Sequence, residues 1–260
     1  MLAFQPKDTK RLIAAALGNV ENDLAIEGCR IFNVFTKEFL EATVYICDGF
    51  ISHVEYNKKN SALPSKQRLQ LNGILCPGFI DAHTHIESSL LVPEHYAAMV
   101  LPHGTTTVLE DAHEIANVMG VEGIQYMLAA SQDLPMRMLL TLPSCVPSLP
   151  GFESSNAELF AKDYTALFQH PRVAGLGEVM DYEGVLQGEQ RIHDLLLAAK
   201  KHAGYLQGHA PLMEGNRLSA YVNAGPQSDH EVKTKQEALD KYRKGMWIDI
   251  REANTQGRMR

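Results

Sequence analysis

The spacing of apolar residues changes character twice along the chain. Leu12, Ile13, Ala16 and Leu17 share one helical face, with Lys7, Lys10 and Arg11 ahead of them and Gly18 behind. Residues 1–20 are expected to be a helix that Gly18 ends. A basic start before an apolar run is also how a secretory leader begins, but this run is short and amphipathic, which favours the helix. From Leu24 the texture becomes β-branched and aromatic. The runs Leu24–Phe35 and Ala42–Cys47 are separated by polar turn residues, and Phe50–Tyr56 alternates with period two. Three or more strands of a small antiparallel sheet are expected there. Residues 57–70, polar throughout Lys58–Ser61 and Pro64–Arg68, read as a loop.

Past Gly73 short apolar runs alternate with stretches of helical period. The expected strands are 78–83, 105–110, 137–142, 173–178, 204–209, 226–230 and 246–251, and helical spacing is clearest over 121–132, 157–169 and 189–203. Strand alternating with helix implies a parallel α/β fold. The expected organisation is an N-terminal helix and small sheet over residues 1–75, followed by a barrel-like region over 76–260.

Composition narrows the classes without choosing among them. With 260 residues, 45% hydrophobic and 21% charged, the chain is globular rather than fibrous or disordered. Its net charge of −7 argues against a general nucleic-acid binder. No apolar run approaches the roughly 18 residues of a membrane span. Cys29, Cys47, Cys76 and Cys145 are widely spaced, with no C-x-x-C pair, so reduced and mostly buried thiols in a cytoplasmic protein are expected.

The histidines carry the chemistry. In Pro77-Gly-Phe-Ile-Asp-Ala-His-Thr-His, His83 and His85 lie at i and i+2 near a strand end. A strand turns such residues to one face, where two imidazoles can grip one metal ion. Asp81, on the same face, is a candidate partner behind them. Glu178, His209 and His230 each end a different expected strand, the position where a parallel barrel gathers its reacting groups. Asp111-Ala-His113-Glu114 ends another; His113 and Glu114 are candidate substrate contacts, or Asp111 and Glu114 cap a helix. His103 starts a strand and receives no chemistry. His53, His95, His170, His193 and His202 have no convergent partners in the pattern. A Walker sequence, a nucleophile elbow and a dinucleotide fingerprint are all missing, since Gly175-Leu-Gly177 lacks the third glycine. Cys145 has no evident activating base.

Taken together, His83-Thr-His-Ile-Glu-Ser-Ser, His103-Gly-Thr-Thr-Thr-Val, His113-Glu-Ile-Ala-Asn-Val-Met-Gly, Pro143-Ser-Cys-Val-Pro, Gly175-Leu-Gly-Glu-Val-Met and Ser228-Asp-His-Glu resemble the bacterial adenine deaminase family of the amidohydrolase superfamily. The resemblance runs from about Leu24 to Glu252. It implies a metal-dependent (β/α)8-type barrel flanked by a β-sandwich, of which this chain holds the N-terminal part. It implies a binuclear divalent centre of manganese or iron, with zinc as an alternative, on His83, His85, Glu178, His209 and His230. Glu178 stands where many relatives bridge two metals with a carboxylated lysine. The implied reaction is adenine plus water to hypoxanthine plus ammonia, in purine salvage or adenine catabolism. Neither nucleic acid nor membrane is an implied partner, and a homo-oligomer is left open.

Two departures qualify that reading. Ala112 stands where the family usually has proline. Trp247–Glu252 resembles the seventh barrel strand, after which residues 253–260 leave the family pattern. An eighth strand with its metal-binding aspartate is not found, and about 185 residues follow position 75 against about 250 for a typical barrel. The expectation is an incomplete barrel of about seven strands, truncated at its C-terminus, with little deaminase activity on its own. Another amidohydrolase acting on a cyclic amide, or an inactive metal-binding fragment, are the alternative readings.

Overall fold

Residues 8–56, 62–202 and 204–251 are described by a computed structural model. The chain divides between Pro77 and Gly78 into two units.

Of the helix expected over 1–20, residues 1–7 lie outside the described residues, and the described part is α1 (Thr9–Ala16). The Asp8 carboxylate caps it, accepting from the amides of Lys10 and Arg11 at 3.0 and 3.1 Å. Gly18, at φ +75°, lets the chain turn away. Strands β1 (Asn22–Asn33), β2 (Glu38–Cys47) and β3 (Phe50–Tyr56) form the antiparallel ladder that the alternation suggests. Cys29, Ile31, Ala42 and Val44 form its buried apolar cluster.

Part of the expected loop is a strand. Ser65–Gln70 is β4, and it and β5 (Ile74–Leu75) both run parallel to β1, so the sheet is mixed rather than antiparallel. The rest of the expected loop, 57–61, lies outside the described residues. An apolar pattern reports burial, and β4 is almost wholly exposed. Its backbone ladder holds it instead, with Lys66 2.7 Å from Asp23 and Arg68 paired with Glu27. Charge along such a strand discourages pairing with another chain.

The second unit contains all seven expected strands: β6 (Phe79–Thr84), β7 (Thr105–Asp111), β8 (Arg137–Leu142), β9 (Val173–Val179), β10 (Tyr205–Gly208), β11 (Ser228–Asp229) and β12 (Trp247–Ile248). Between them lie α2 (Pro93–Val100), α3 (His113–Met119), α4 (Val121–Ala130), α5 (Tyr182–Gln187), α6 (Gln190–Lys201), α7 (Gly215–Ala224) and α8 (Lys235–Arg243). The first five strands make one parallel sheet in the order β10-β9-β8-β7-β6, and β11 and β12 form a separate parallel pair. This is a half-barrel, with a further strand pair beyond it.

Burial follows position in the sheet. Leu140, Leu142 and Leu176, on the inner strands, are fully buried, as strands covered on both faces must be. On β6, the outermost strand, Phe79 and Ile80 remain 60% and 69% exposed. Helices α4 and α6 close the core with Ile124, Met127, Ile192 and Leu195. The helix expected over 157–169 is instead two short 3-10 turns, Ala161–Tyr164 and Leu167–Gln169. Tyr164, Leu167 and Phe168 are still buried at helical spacing, but Phe160 is extended and its amide is capped by Asp163 at 2.8 Å. The periodic signal was therefore the burial of one turn, too short to carry an α-helix.

Gly175 sets the closeness of β9 and β10. A Cβ there would lie 1.8 Å from the Tyr205 carbonyl oxygen, a backbone atom that cannot step aside. Gly175→Ala is expected to lower stability by about 3 kcal/mol, the upper range for overpacking, read as a reduced midpoint in urea unfolding.

Candidate metal centre

Because the strands of the half-barrel are parallel, their C-terminal ends share one rim. β6 ends one residue before His85, and His83 lies within it; β9 carries Glu178, β10 stops before His209, and β11 stops before His230. The rim turns these five side chains onto one point, the Glu178 carboxylate, which is only 2% exposed. Its Oε1 lies 2.9 Å from His83 Nε2, 2.7 Å from His85 Nε2 and 3.4 Å from His230 Nε2, and its Oε2 lies 2.7 Å from His209 Nδ1. The imidazoles also pack on one another: His83 stacks on His230 at 4.0 Å, and His85 meets His83 edge-on at 4.6 Å.

These approaches are not all hydrogen bonds. His83 bonds Glu178 in good geometry. His209 Nδ1 and Glu178 Oε2 are close but lie off a hydrogen-bonding direction, and both are buried without a hydrogen-bond partner. Both nitrogens of His230 are likewise unpartnered. Buried polar atoms are otherwise paired as a rule. Lone pairs that converge without bonding to each other are what a cation needs. His83, His85 and Glu178 place one donor atom each within 4.8 Å of one another, and so do Glu178, His209 and His230. Imidazole nitrogen and carboxylate oxygen are ordinary ligands of divalent transition metals. The residues present therefore fit a divalent metal.

Electrostatics agree. Burial opposes ionisation of Glu178, yet the surrounding imidazoles hold its carboxyl far below the ordinary carboxylate range. Burial also opposes charge on His85, but Glu178 and Asp111 push its imidazole up to about 9. Burial, with the neighbouring His83 and His209, moves the His230 imidazole down against the pull of Glu178.

A buried shell orients these groups. His83 Nδ1 donates to Gln207 Oε1 at 3.2 Å, and Gln207 is fixed by donating to the Ala82 carbonyl at 2.8 Å and accepting from Thr141 at 3.1 Å. His85 Nδ1 donates to the Asp111 carbonyl at 2.9 Å. Each contact fixes the tautomer that leaves Nε2 facing Glu178. The Tyr221 hydroxyl donates to the Val179 carbonyl at 2.7 Å and accepts the His209 amide at 3.0 Å, tying the Glu178 strand to the His209 turn. Ser144 donates to the Glu178 carbonyl, and Asp111 Oδ2 accepts its amide at 2.8 Å. Gly177 makes room for that contact, since a Cβ there would lie 2.3 Å from Asp111 Oδ2.

Gln207, Tyr221, Thr141 and Ser144 were not singled out by the sequence reading. Gln207 alone left a signal: a polar residue within an apolar strand, two positions before a ligand-like histidine.

The remaining candidates separate. His113 joins the centre, 4.5 Å edge-on from His85, with its Nδ1 3.7 Å from Asp111 Oδ1. Glu114 does not, because its carboxylate is engaged by the Ser88 hydroxyl. The helix-cap reading of Asp111 fails: Ala112 is the N-cap of α3, without a side-chain bond. Asp81 accepts from the His83 amide at 3.3 Å rather than from an imidazole. Burial pushes the Cys145 thiol well up, away from a nucleophile's needs. A cleft of about 920 Å3 opens beside the centre, lined by His83, His85, His230, Asp81, Ile248 and Asp249 among others. Among the described residues, no barrel strand follows β12.

The profile of the amidohydrolase family matches residues 74–259. The chain belongs to the amidohydrolase family. It is 41% identical over 250 residues to adenine deaminase 2 of Carboxydothermus hydrogenoformans, covering 95% of this chain and 42% of that protein. It is 42% identical to an adenine deaminase of Methanothrix thermoacetophila, with 94% and 42% covered. The chain thus spans about 42% of the length of such relatives. Among solved structures it resembles a zinc-bound atrazine chlorohydrolase variant of Arthrobacter aurescens TC1, with a TM-score of 0.61 at 16% identity over 86% of this chain and 64% of that one. It also resembles an N-acyl-D-glutamate deacylase of Bordetella bronchiseptica, with a TM-score of 0.57 at 13% identity over 88% and 58%. At such identities these structures speak for the amidohydrolase fold alone. No described helix is long and apolar enough to cross a membrane.

Family and donor set together support a divalent metal centre, and this rim has the donors to hold one. Gln207→Leu removes the acceptor that orients His83. It is expected to weaken Mn2+ binding by about 10- to 100-fold, the usual cost of losing such an outer partner, as measured by calorimetric titration of the metal-free chain.

Proposed function

We propose that this chain carries the metal-binding half of an adenine deaminase, which hydrolyses adenine to hypoxanthine and ammonia at a binuclear manganese or iron centre. One observation carries the reading. Two imidazole pairs, His83 with His85 and His209 with His230, share a single buried carboxylate, Glu178. One carboxylate serving two donor pairs could hold two ions. The relatives called adenine deaminase supply the substrate.

Divalent ions held there supply positive charge that lowers the pKa of water toward 7 and so provides hydroxide at neutral pH. The protein's own residues do the rest. Glu178 would bring the negative charge that offsets the cations held there. Gln207 and the Asp111 carbonyl keep His83 and His85 in the tautomer that presents Nε2. His113, its Nδ1 turned toward the buried Asp111 carboxylate and its ring edge-on to His85, stands behind the same rim and helps to hold it. The cleft beside the centre is apolar at Ile80 and Ile248 and polar at Asp81 and Asp249, a mixture suited to a flat heterocycle with polar edges. Addition of hydroxide at C6 and departure of ammonia need proton transfers to the ring and to the leaving amine. A rim of ionisable groups beside an open cleft is a fitting place for them.

With Mn2+ supplied, ammonia release from adenine is expected to depend on the metal. Whatever release this chain shows should be lost in His83→Ala, and hydantoin and dihydrouracil should not be hydrolysed. Hydrolysis of the cyclic amides in place of adenine, or release that ignores both the metal and the substitution, would overturn the reading.

A further inference from the structure

We propose that Lys241 is a positioning residue of the metal centre, its buried ammonium fixing the two turns on which His209 and His230 stand. The inference rests on reading those two histidines as metal ligands and adds the device that aims them.

Lys241 lies on α8, 31 residues from Ala210 and 12 from Asp229, and is fully buried. A buried lysine is costly unless every donor is paired. This one has three donors and three partners. Nζ donates to the Ala210 carbonyl at 2.6 Å, to Glu237 Oε1 at 2.6 Å, and to the Asp229 carboxylate. Ala210 directly follows His209, and Asp229 directly precedes His230.

The two carboxylates extend the grip. Asp229 Oδ1 accepts the amides of Ala210 at 3.2 Å and Glu231 at 3.0 Å, one from each turn. Glu237 Oε1 accepts the Leu212 amide at 2.7 Å, and its Oε2 accepts the Lys233 amide at 2.9 Å. Residues on both sides of His230, and two residues after His209, are thus tied to one ammonium and its two carboxylates. Thr234 caps α8 by accepting the Glu237 amide at 3.1 Å, which fixes the helix end that carries the cluster. The Lys241 ammonium and the Asp229 and Glu237 carboxylates are in direct contact and all buried, so the cluster is a buried ion-pair triad.

Nothing in this cluster touches the imidazoles themselves. Its effect on them passes through the backbone of two short turns, and β11 is only two residues long. A strand that short cannot aim His230 by its ladder alone. The cluster is also local: His83 and His85 are oriented by Gln207 and Asp111 and lie outside it. Losing Lys241 should therefore weaken the ion on the His209/His230 side and spare the one on the His83/His85 side.

The test is Mn2+ titration of the metal-free full chain, followed by calorimetry and by the paramagnetic signal of free Mn2+. Wild type is expected to bind two equivalents. In Lys241→Met, one should weaken about tenfold or more while the other stays within about twofold. Asp229→Asn keeps an acceptor for the backbone amides but loses the ion pair, and should show the same split. In wild type, Mn2+ should slow hydrogen exchange at the Ala210 and Glu231 amides, a readout that needs no variant to fold. Two unchanged equivalents in a folded variant would overturn the proposal, as would equal weakening of both together with a lowered melting temperature. So would Ala210 and Glu231 amides indifferent to Mn2+. A wild-type chain that binds no Mn2+ would instead refute the metal centre itself, which keeps the two failures apart.

Discussion

The second unit is organised around one buried negative charge. Taking a carboxylate out of water costs several kcal/mol unless something answers it. Glu178 is answered by four imidazoles drawn from three strand ends. No local segment could assemble such a ring. It requires parallel strands whose ends come to one rim, which is what the helix connections between β6 and β11 provide. The half-barrel is thus a frame for a single electrostatic problem, and a divalent cation is its simplest solution, because the same donors that surround Glu178 are left with unspent lone pairs.

Around that problem the fold spends its buried polar groups in a consistent way. Each one either fixes a tautomer, as Gln207 and the Asp111 carbonyl do, or ties two strand ends together, as Tyr221 and Asp111 do. Gly177 belongs to this scheme although it has no side chain: its missing Cβ lets the Asp111 carboxylate reach the Glu178 amide. The acidic surroundings are graded too. Glu110, buried beside Glu87, is pushed well up by burial and by its neighbour, whereas Asp111, facing His113, is held down against the same burial. Adjacent carboxyls on one strand are therefore pushed in opposite directions because their partners differ.

Much of this was legible in the residues alone. The seven strand positions followed from apolar runs bounded by turns, because strands buried in a parallel sheet must be apolar along their length. His83, His85, Glu178, His209 and His230 could be named because they sit where parallel strands end. What stayed hidden had a common cause: it left no apolar signature. Strand β4 is polar because it buries almost nothing. The stretch 157–169 carries helical burial spacing over one turn only, so its pattern overstated its structure. Glu114 resembled a capping or substrate residue in sequence but is held by Ser88 through a contact between segments 26 positions apart. Lys241 reads as an ordinary surface lysine of a charged helix, and only the tertiary fold shows that it is buried.

The central claim is that Glu178 is shared by two metal ions. X-ray absorption at the manganese edge of the Mn2+-loaded chain tests it most directly. The account predicts imidazole scattering together with a manganese–manganese vector at about 3.5–4 Å, the spacing of two-metal sites. A nitrogen and oxygen shell with imidazole but no metal–metal vector, at two bound equivalents, would contradict it.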